Sequence, residues 1–127
     1  MTVFDTSSLI RFFTNDIPEK ASVVKKVIDS DEKVLIPDVV FPALEYVLLG
    51  EVYKSSRQKV LQAFHFLISR KNTKVSVGVS IAVDLYSKTN LDIADCIIAA
   101  SAIGNELLSF DNKLISAYKA YKMNLGQ

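Results

Sequence analysis

Residues 2–13 read TVFDTSSLIRFF: a β-prone start, four polar residues and an apolar segment. Thr2-Val3-Phe4 predicts a short strand, and Asp5-Thr6-Ser7-Ser8 are residues of the type that caps a helix, so a helix through Phe13 is predicted. Because ligands of open α/β sheets bind at the carboxyl ends of strands, Asp5 is well placed to hold a cation or its waters. The alternative is that Asp5 only caps the helix.

The rest of the chain continues the alternation of strands and helices. Helices are predicted to about residue 30 after Pro18, then over 38–50, 52–70, from 79, over 90–103 and over 113–120, with strands at 33–36, 75–77 and 107–110 and a candidate last strand in the tail 121–127. Such alternation predicts a parallel sheet covered by helices on both faces. The expected fold is therefore α/β, a three-layer α/β/α sandwich with a central, mostly parallel sheet, in a single domain of residues 1–127.

Composition limits the class of protein. The chain has 127 residues, of which 50% are hydrophobic and 23% charged, so it should be globular. Its mean hydropathy of +0.24 indicates either a large core or apolar surface that meets a partner. The net charge is only +1, so any nucleic-acid binding has to come from a local patch.

Several chemistries and locations fit poorly. The single cysteine, Cys96, cannot build a disulfide framework and reads as a small core residue, and the chain has no His/Cys cluster for zinc. His65 lies beside an apolar stripe, where no Ser-His-Asp set can be built around it. The acid at position 5 argues against a secretory signal peptide, and the charge-free run 96–105 is too short to span a bilayer. We therefore expect a cytoplasmic protein without membrane contact.

Four acids, Asp5, Glu45, Asp95 and Asp111, adjoin apolar stretches that should be buried. Buried carboxylates are costly unless they are paired or bind a metal, and several together would supply the oxygen ligands of a divalent ion. Each has a simpler explanation as well. Glu45 could lie at the exposed edge of its helix; Asp92 could cap a helix whose dipole Asp95 complements; and Asp111 could be a turn residue after the predicted strand.

Four segments together resemble the PIN-domain family and, within it, the VapC-type toxins. They are VFDTSSLI at 3–10, PALEYV at 42–47, LDIADCIIAASA at 91–102 and LSFDNK at 108–113. The third is the most specific, with its acids, apolar helix and paired alanines. Cys96 stands where the family more often has a small residue such as alanine, and Asn112 takes a position that is usually a small hydroxyl residue.

The resemblance implies a Mg²⁺- or Mn²⁺-dependent endoribonuclease that forms a homodimer and is neutralised by a cognate antitoxin. It assigns the catalytic acids to Asp5, Glu45, Asp95 and Asp111. We expect Asp5, Asp95 and Asp111 to be the direct metal ligands, and Asp92 and Glu45 to act through water or as a base. Positions that would orient these ligands are Thr6, Ser7 and Asn112.

Two further expectations concern contacts. Positive charge for RNA could come from Arg11, Arg70, Lys71, Lys74 and Lys113, and apolar surface for the antitoxin or second subunit from Phe12, Phe13, Val47, Leu48 and Leu49. Two other functions remain open: a PIN-type nuclease for RNA processing or decay, and a non-catalytic RNA-binding or interaction module.

Overall fold

The computed structural model describes residues 1–126, which contain seven α-helices and three short β-strands. In chain order they are β1 Thr2–Val3, α1 Thr6–Thr14, α2 Pro18–Ile28, β2 Val34–Leu35, α3 Val40–Leu49, α4 Arg57–Ser69, β3 Thr73–Lys74, α5 Val77–Lys88, α6 Ile93–Ser101 and α7 Asn112–Asn124. They fall into two compact units, Met1–Ser76 and Val77–Gln127, called here unit 1 and unit 2.

Unit 1 contains the sheet, whose three strands are all parallel in the order β1-β2-β3. Thr2 pairs with Val34 and Val34 with Thr73, so β2 lies between its neighbours. Backbone bonds extend this ladder by a residue, since the Phe4 amide donates to the Leu35 carbonyl at 3.0 Å. Parallel pairing confirms the predicted α/β class. It also places the carboxyl ends of β1 and β2, and thus the starts of the chain segments leading to α1 and α3, at one edge of the sheet.

The core of unit 1 is formed by the apolar faces of its helices. Helix α1 packs against α2 and α3, and α3 packs against α4. Leu9, Phe41, Leu44 and Phe64 are completely buried, and the rings of Phe41 and Phe64 lie 5.5 Å apart between centroids. Aromatic pairs at this distance stabilise a core beyond the area they bury. Asp5 and Glu45 are therefore held on helices that are fixed by this core.

Unit 2 is a helical layer in which α6 packs against both α5 and α7. Small side chains on α6 allow the close approach of α5, because Cys96, Ala99 and Ala100 are all buried. This confirms Cys96 as a small core residue. Helix α7 is attached by two tyrosines: the Tyr118 hydroxyl donates to the Ala102 carbonyl at 2.9 Å, and the Tyr121 hydroxyl donates to Asp84 Oδ2 at 2.7 Å.

Four predicted elements were wrong in type or extent. Residues 107–110 form no strand, and Asp111 therefore does not follow one. Helix α4 begins at Arg57 and not at 52, because the chain first turns through Lys54, whose φ of 49° is left-handed, and Ser56 then caps the helix. Helix α5 begins at Val77, where a strand was expected. Helix α7 continues to Asn124, so the predicted last strand is wrong over 121–124, and Gln127 lies outside the described residues.

Among residues 1–126, none of the helices combines the length and the apolar character needed to cross a membrane.

Candidate active site

Asp5 lies one residue beyond the last backbone bond of β1 and caps helix α1. Its Oδ1 accepts hydrogen bonds from the Ser8 amide at 2.9 Å, the Ser7 hydroxyl at 2.8 Å and the Ser8 hydroxyl at 3.0 Å. These bonds, the Ser8 amide first, lower the pKa of Asp5 below its usual value, against a smaller opposing effect of burial. Asp5 therefore remains an ionised carboxylate near neutral pH, as a metal ligand must.

Glu45 is buried, with 8% of its surface exposed, and is the one charged residue in the core of residues 1–126. It lies on α3 next to the buried Leu44. The expectation that it could sit at an exposed helix edge is therefore wrong. Burying a carboxylate is expensive unless it is compensated, and Glu45 lies on a helix that packs against α1.

In unit 2, Asp92 and Asp111 each cap a helix. Asp92 Oδ1 accepts a bond from the Asp95 amide at 2.8 Å at the start of α6. Asp111 Oδ1 accepts bonds from the amides of Lys113 at 3.0 Å and Leu114 at 3.2 Å at the start of α7. The simpler explanation of Asp92 as a helix cap is thus confirmed, whereas Asp111, expected as a turn residue after a strand, caps α7 instead.

Asp95 lies in the first turn of α6 and is half-buried. Burial raises its pKa above the usual value, and the negative charges of Asp92 and Asp111 raise it further, with only Lys113 opposing them. The negative charges of Asp92 and Asp111 therefore disfavour the ionised form of Asp95. A cation would offset these charges.

These acids suit a hydrated magnesium or manganese ion better than a closed protein cage. Within residues 1–126, no group of three or more His, Cys, Asp or Glu side chains is arranged so that it could hold a metal ion, so the predicted cluster of acids is not formed there. Mg²⁺, however, keeps several of its waters and is usually bound by one or two carboxylates. The oxygen donors of the acids whose charges act on Asp95 suit the chemistry of such an ion.

The predicted orienting residues differ in what they contact. Ser7 binds Asp5 directly through its hydroxyl, as expected of a residue that orients a ligand. Thr6 instead lines a cleft of about 360 Å³ beside α1, and the Asn112 side chain is exposed at the start of α7. Sequence reasoning missed Ser8, which gives Asp5 two of its three bonds. The signal was present, because a residue three positions after a helix cap commonly bonds back to it.

The candidate basic residues also differ. Arg70 bonds the Ile28 carbonyl at 2.8 Å and lies over the Phe66 ring, so it serves the fold of unit 1. Lys113 lies near Asp95, where its charge lowers the pKa of that carboxyl, and its Nζ donates to the Asn90 carbonyl at 3.3 Å. Lys71 and Lys74 are exposed. Arg11 lines the cleft that also contains Thr6 and Ser7.

Residues 2–120 match the sequence model of the PIN domain. The chain belongs to the PIN-domain family. Its parallel sheet and seven helices are those of a PIN-like α/β/α fold, and the matched segment contains all five acids considered above. PIN domains are generally nucleases that depend on divalent metal ions, and a nuclease of this family implies an RNA substrate. No curated protein and no solved structure matched the chain significantly.

Proposed function

We propose that this PIN-domain protein is an Mg²⁺- or Mn²⁺-dependent endoribonuclease and the toxin of a type II toxin–antitoxin pair. The observation that carries the proposal is the set of charges around Asp95 in a chain whose family consists mainly of metal-dependent nucleases. Asp5, Glu45, Asp95 and Asp111 are the proposed catalytic acids, with Asp5, Asp95, Asp111 and Asp92 as the proposed metal-binding residues.

The proposed role of each acid follows from its local contacts. Asp5 is kept ionised by Ser7 and Ser8 and is a ready ligand. The pKa of Asp95 is raised by burial and by the charges of Asp92 and Asp111, so a nearby cation would favour its ionised form. A bound divalent ion supplies a water of lowered pKa and offsets charge on the scissile phosphate. Asn112 and Thr6 are proposed to orient waters or phosphate oxygens.

The antitoxin is proposed to bind a cleft of about 550 Å³ between α1 and α4. Its lining is aromatic and aliphatic with a polar rim, and consists of Phe12, Phe13, Thr14, Leu48, Tyr53, Ser55, Lys59, Gln62, Ala63 and Phe66. The rings of Phe12, Phe13 and Phe66 lie 5.2–5.9 Å apart between centroids, which gives a partner a continuous apolar surface. A groove of this kind suits the apolar face of an amphipathic helix.

The toxin assignment is tested by the growth of cells that express the protein. Expression of the wild-type chain should arrest growth, and co-expression of the protein encoded by the neighbouring gene should relieve the arrest and yield a complex that purifies together. RNA cleavage by the purified chain should occur in Mg²⁺ or Mn²⁺, stop in EDTA and be inhibited by that partner. Metal-dependent cleavage without growth arrest would instead favour a nuclease for RNA processing or decay.

A non-catalytic RNA-binding or interaction module is the remaining alternative. It is disfavoured by the presence of the complete acid set and by the negative charges that act on Asp95, which a bound cation would offset. Titration with Mn²⁺ distinguishes this alternative, since a module that has lost catalysis need not bind the ion.

A further inference from the structure

Arg11 lies one helical turn beyond the serines that bind Asp5. Ser7 and Arg11 are four residues apart on α1 and therefore share a face of the helix. Both line the cleft of about 360 Å³, together with Thr6, Ile10, Val47 and Tyr53. They also line a neighbouring cleft of about 310 Å³, to which Lys20 of α2 contributes. Arg11 is thus at the boundary of two clefts, one helical turn along α1 from the serines that bind the proposed metal ligand Asp5.

The Arg11 side chain is fixed in place by residues from two other segments. Its Nη1 donates to Asp16 Oδ2 at 2.8 Å and lies 3.4 Å from the Tyr53 hydroxyl. Tyr53, in the turn before α4, donates to the same Asp16 oxygen at 2.7 Å, and the Thr14 hydroxyl donates to Asp16 Oδ1 at 3.0 Å. The side chain of Arg11 is only 31% exposed. A long flexible side chain therefore has one defined orientation.

This arrangement leaves donors for a ligand. Among the hydrogen bonds of residues 1–126, those of the Arg11 guanidinium use Nη1 alone, whereas the group carries five N–H donors in a planar fork. The other polar groups of the cleft include the Thr6 hydroxyl, which can also donate, whereas the Ser7 hydroxyl already donates to Asp5. A site of fixed donors beside an acidic metal-binding residue matches a phosphodiester, since arginine pairs with phosphate oxygens through two parallel bonds.

We propose that Arg11 binds a backbone phosphate of single-stranded RNA in the cleft beside Asp5, with Asp16 and Tyr53 as positioning residues that set its orientation. The inference deepens the proposed ribonuclease function, on which it rests for the choice of RNA as the ligand. In this proposal the acids bind the metal, whereas the Arg11–Asp16–Tyr53 cluster holds the substrate backbone in position.

Binding of a fluorescein-labelled single-stranded oligoribonucleotide, measured at a series of NaCl concentrations in Mg²⁺, tests the proposal. All proteins carry Asp95→Asn so that the RNA stays intact. Arg11→Gln should weaken binding about tenfold, the size expected for one charge-assisted contact, and lower the slope of log affinity against log salt by about 0.7. The matched control Lys26→Gln removes an equal charge from the exposed side of α2 and should change affinity less than about twofold.

Two milder variants separate positioning from charge. Arg11→Lys and Tyr53→Phe keep the positive charge, so the salt slope should be unchanged, while affinity should fall about threefold because the fork or its orientation is lost. A merely structural role of Tyr53 would lower thermal stability without changing the affinity of the folded protein. If Arg11→Gln unfolds the chain, these two variants decide the question.

Equal affinity and equal salt slope in Arg11→Gln and Lys26→Gln would overturn the proposal, as would an absence of RNA binding. Failure of the proposed function is seen separately, in the wild-type protein without Asp95→Asn. If that protein does not cleave RNA in Mg²⁺ or Mn²⁺ but binding depends on Arg11, the nuclease assignment fails and the phosphate site stands. If it cleaves and Arg11→Gln binds and cleaves normally, only the phosphate site fails.

Discussion

Asp92 and Asp111 each combine a structural task with a proposed chemical one. Their Oδ1 atoms accept the amide bonds that begin α6 and α7, and the same carboxylates act electrostatically on Asp95. A helix cap needs only an oxygen acceptor, which serine also provides, whereas a metal ion needs the negative charge. The two tasks can therefore be separated by substitution.

Asp111→Ser and Asp111→Ala make that separation. Alanine removes the cap of α7 and should cost about 1 kcal/mol of the free energy of unfolding, while serine should recover most of this loss. Both should abolish RNA cleavage, because neither carries the charge. Urea unfolding and an RNA cleavage assay measure the two effects. Full cleavage activity in the serine variant would remove Asp111 from the proposed catalytic set.

Some residues of the candidate site could be predicted from the sequence and others could not. The helix-cap pattern around Asp5 and Asp92 was readable from the sequence, because Ser, Thr and Asp at such positions act locally. The burial of Glu45 was not, since its apolar neighbours on α3 fit an exposed edge as well as a packed face. Nor could the bonds of Arg11 with Asp16 and Tyr53 be predicted, because Tyr53 is distant in the chain.

At the scale of elements, the attachment of α7 to α5 depends on the bond between Tyr121 and Asp84. Tyr121 is buried, and its hydroxyl donates to Asp84 Oδ2 at 2.7 Å. Burial first, then this hydrogen bond and the charge of Asp84, raise the pKa of Tyr121 from 10.0 to about 12. The folded protein therefore holds the phenolic proton more tightly than the unfolded chain does.

This difference predicts a loss of stability at alkaline pH. Because the pKa is raised on folding, the contribution is complete below pH 10 and is lost as the pH rises from 10 towards 12. Between pH 9 and pH 12, the wild-type protein should lose about 2 kcal/mol of unfolding free energy that Tyr121→Phe does not lose. Urea unfolding of both proteins at each pH measures this. Parallel pH profiles for the two proteins would show that Tyr121 keeps its ordinary pKa.

The sequence predicted the elements that form through interactions between neighbouring residues. It did not predict those that depend on pairing with a distant segment of backbone. Helices α1 and α7 follow from their caps and apolar spacing, and α2 follows from its apolar spacing and the proline in its first turn. The segment 107–110 has the composition of a strand, but a strand also requires a neighbouring backbone, and Leu108 and Phe110 are almost fully exposed there. The helix predicted from residue 79 forms, but it already begins at Val77, because Gly78 is part of the helix and not of a turn between a strand and the helix.

At the scale of the whole molecule, both units carry exposed apolar side chains. Val39, Tyr46 and Val52 in unit 1 and Leu108 and Phe110 in unit 2 are more than 70% exposed. Exposed apolar surface on a globular protein commonly marks an interface, and it agrees with the positive mean hydropathy of +0.24. We propose that part of this surface is covered in a homodimer.

Light scattering coupled to gel filtration should therefore give twice the chain mass of 14.1 kDa. Tyr46→Ser and Phe110→Ser each remove one exposed ring without leaving a cavity, and at least one should shift the mass towards the monomer. The control Val23→Ser alters an exposed apolar residue of α2 and should leave the mass unchanged if α2 lies outside the interface. A wild-type mass of 14.1 kDa at every concentration would contradict the dimer.

The most direct test of the central claim is RNA cleavage by four purified proteins in Mg²⁺, in Mn²⁺ and in EDTA. They are the wild type, Asp5→Asn, Asp95→Asn and the control Asp31→Asn, which changes an exposed acid outside the proposed site. We expect the wild type and Asp31→Asn to cleave only with metal, and the other two to remain folded and inactive. Full metal-dependent activity in Asp5→Asn or Asp95→Asn would contradict the account.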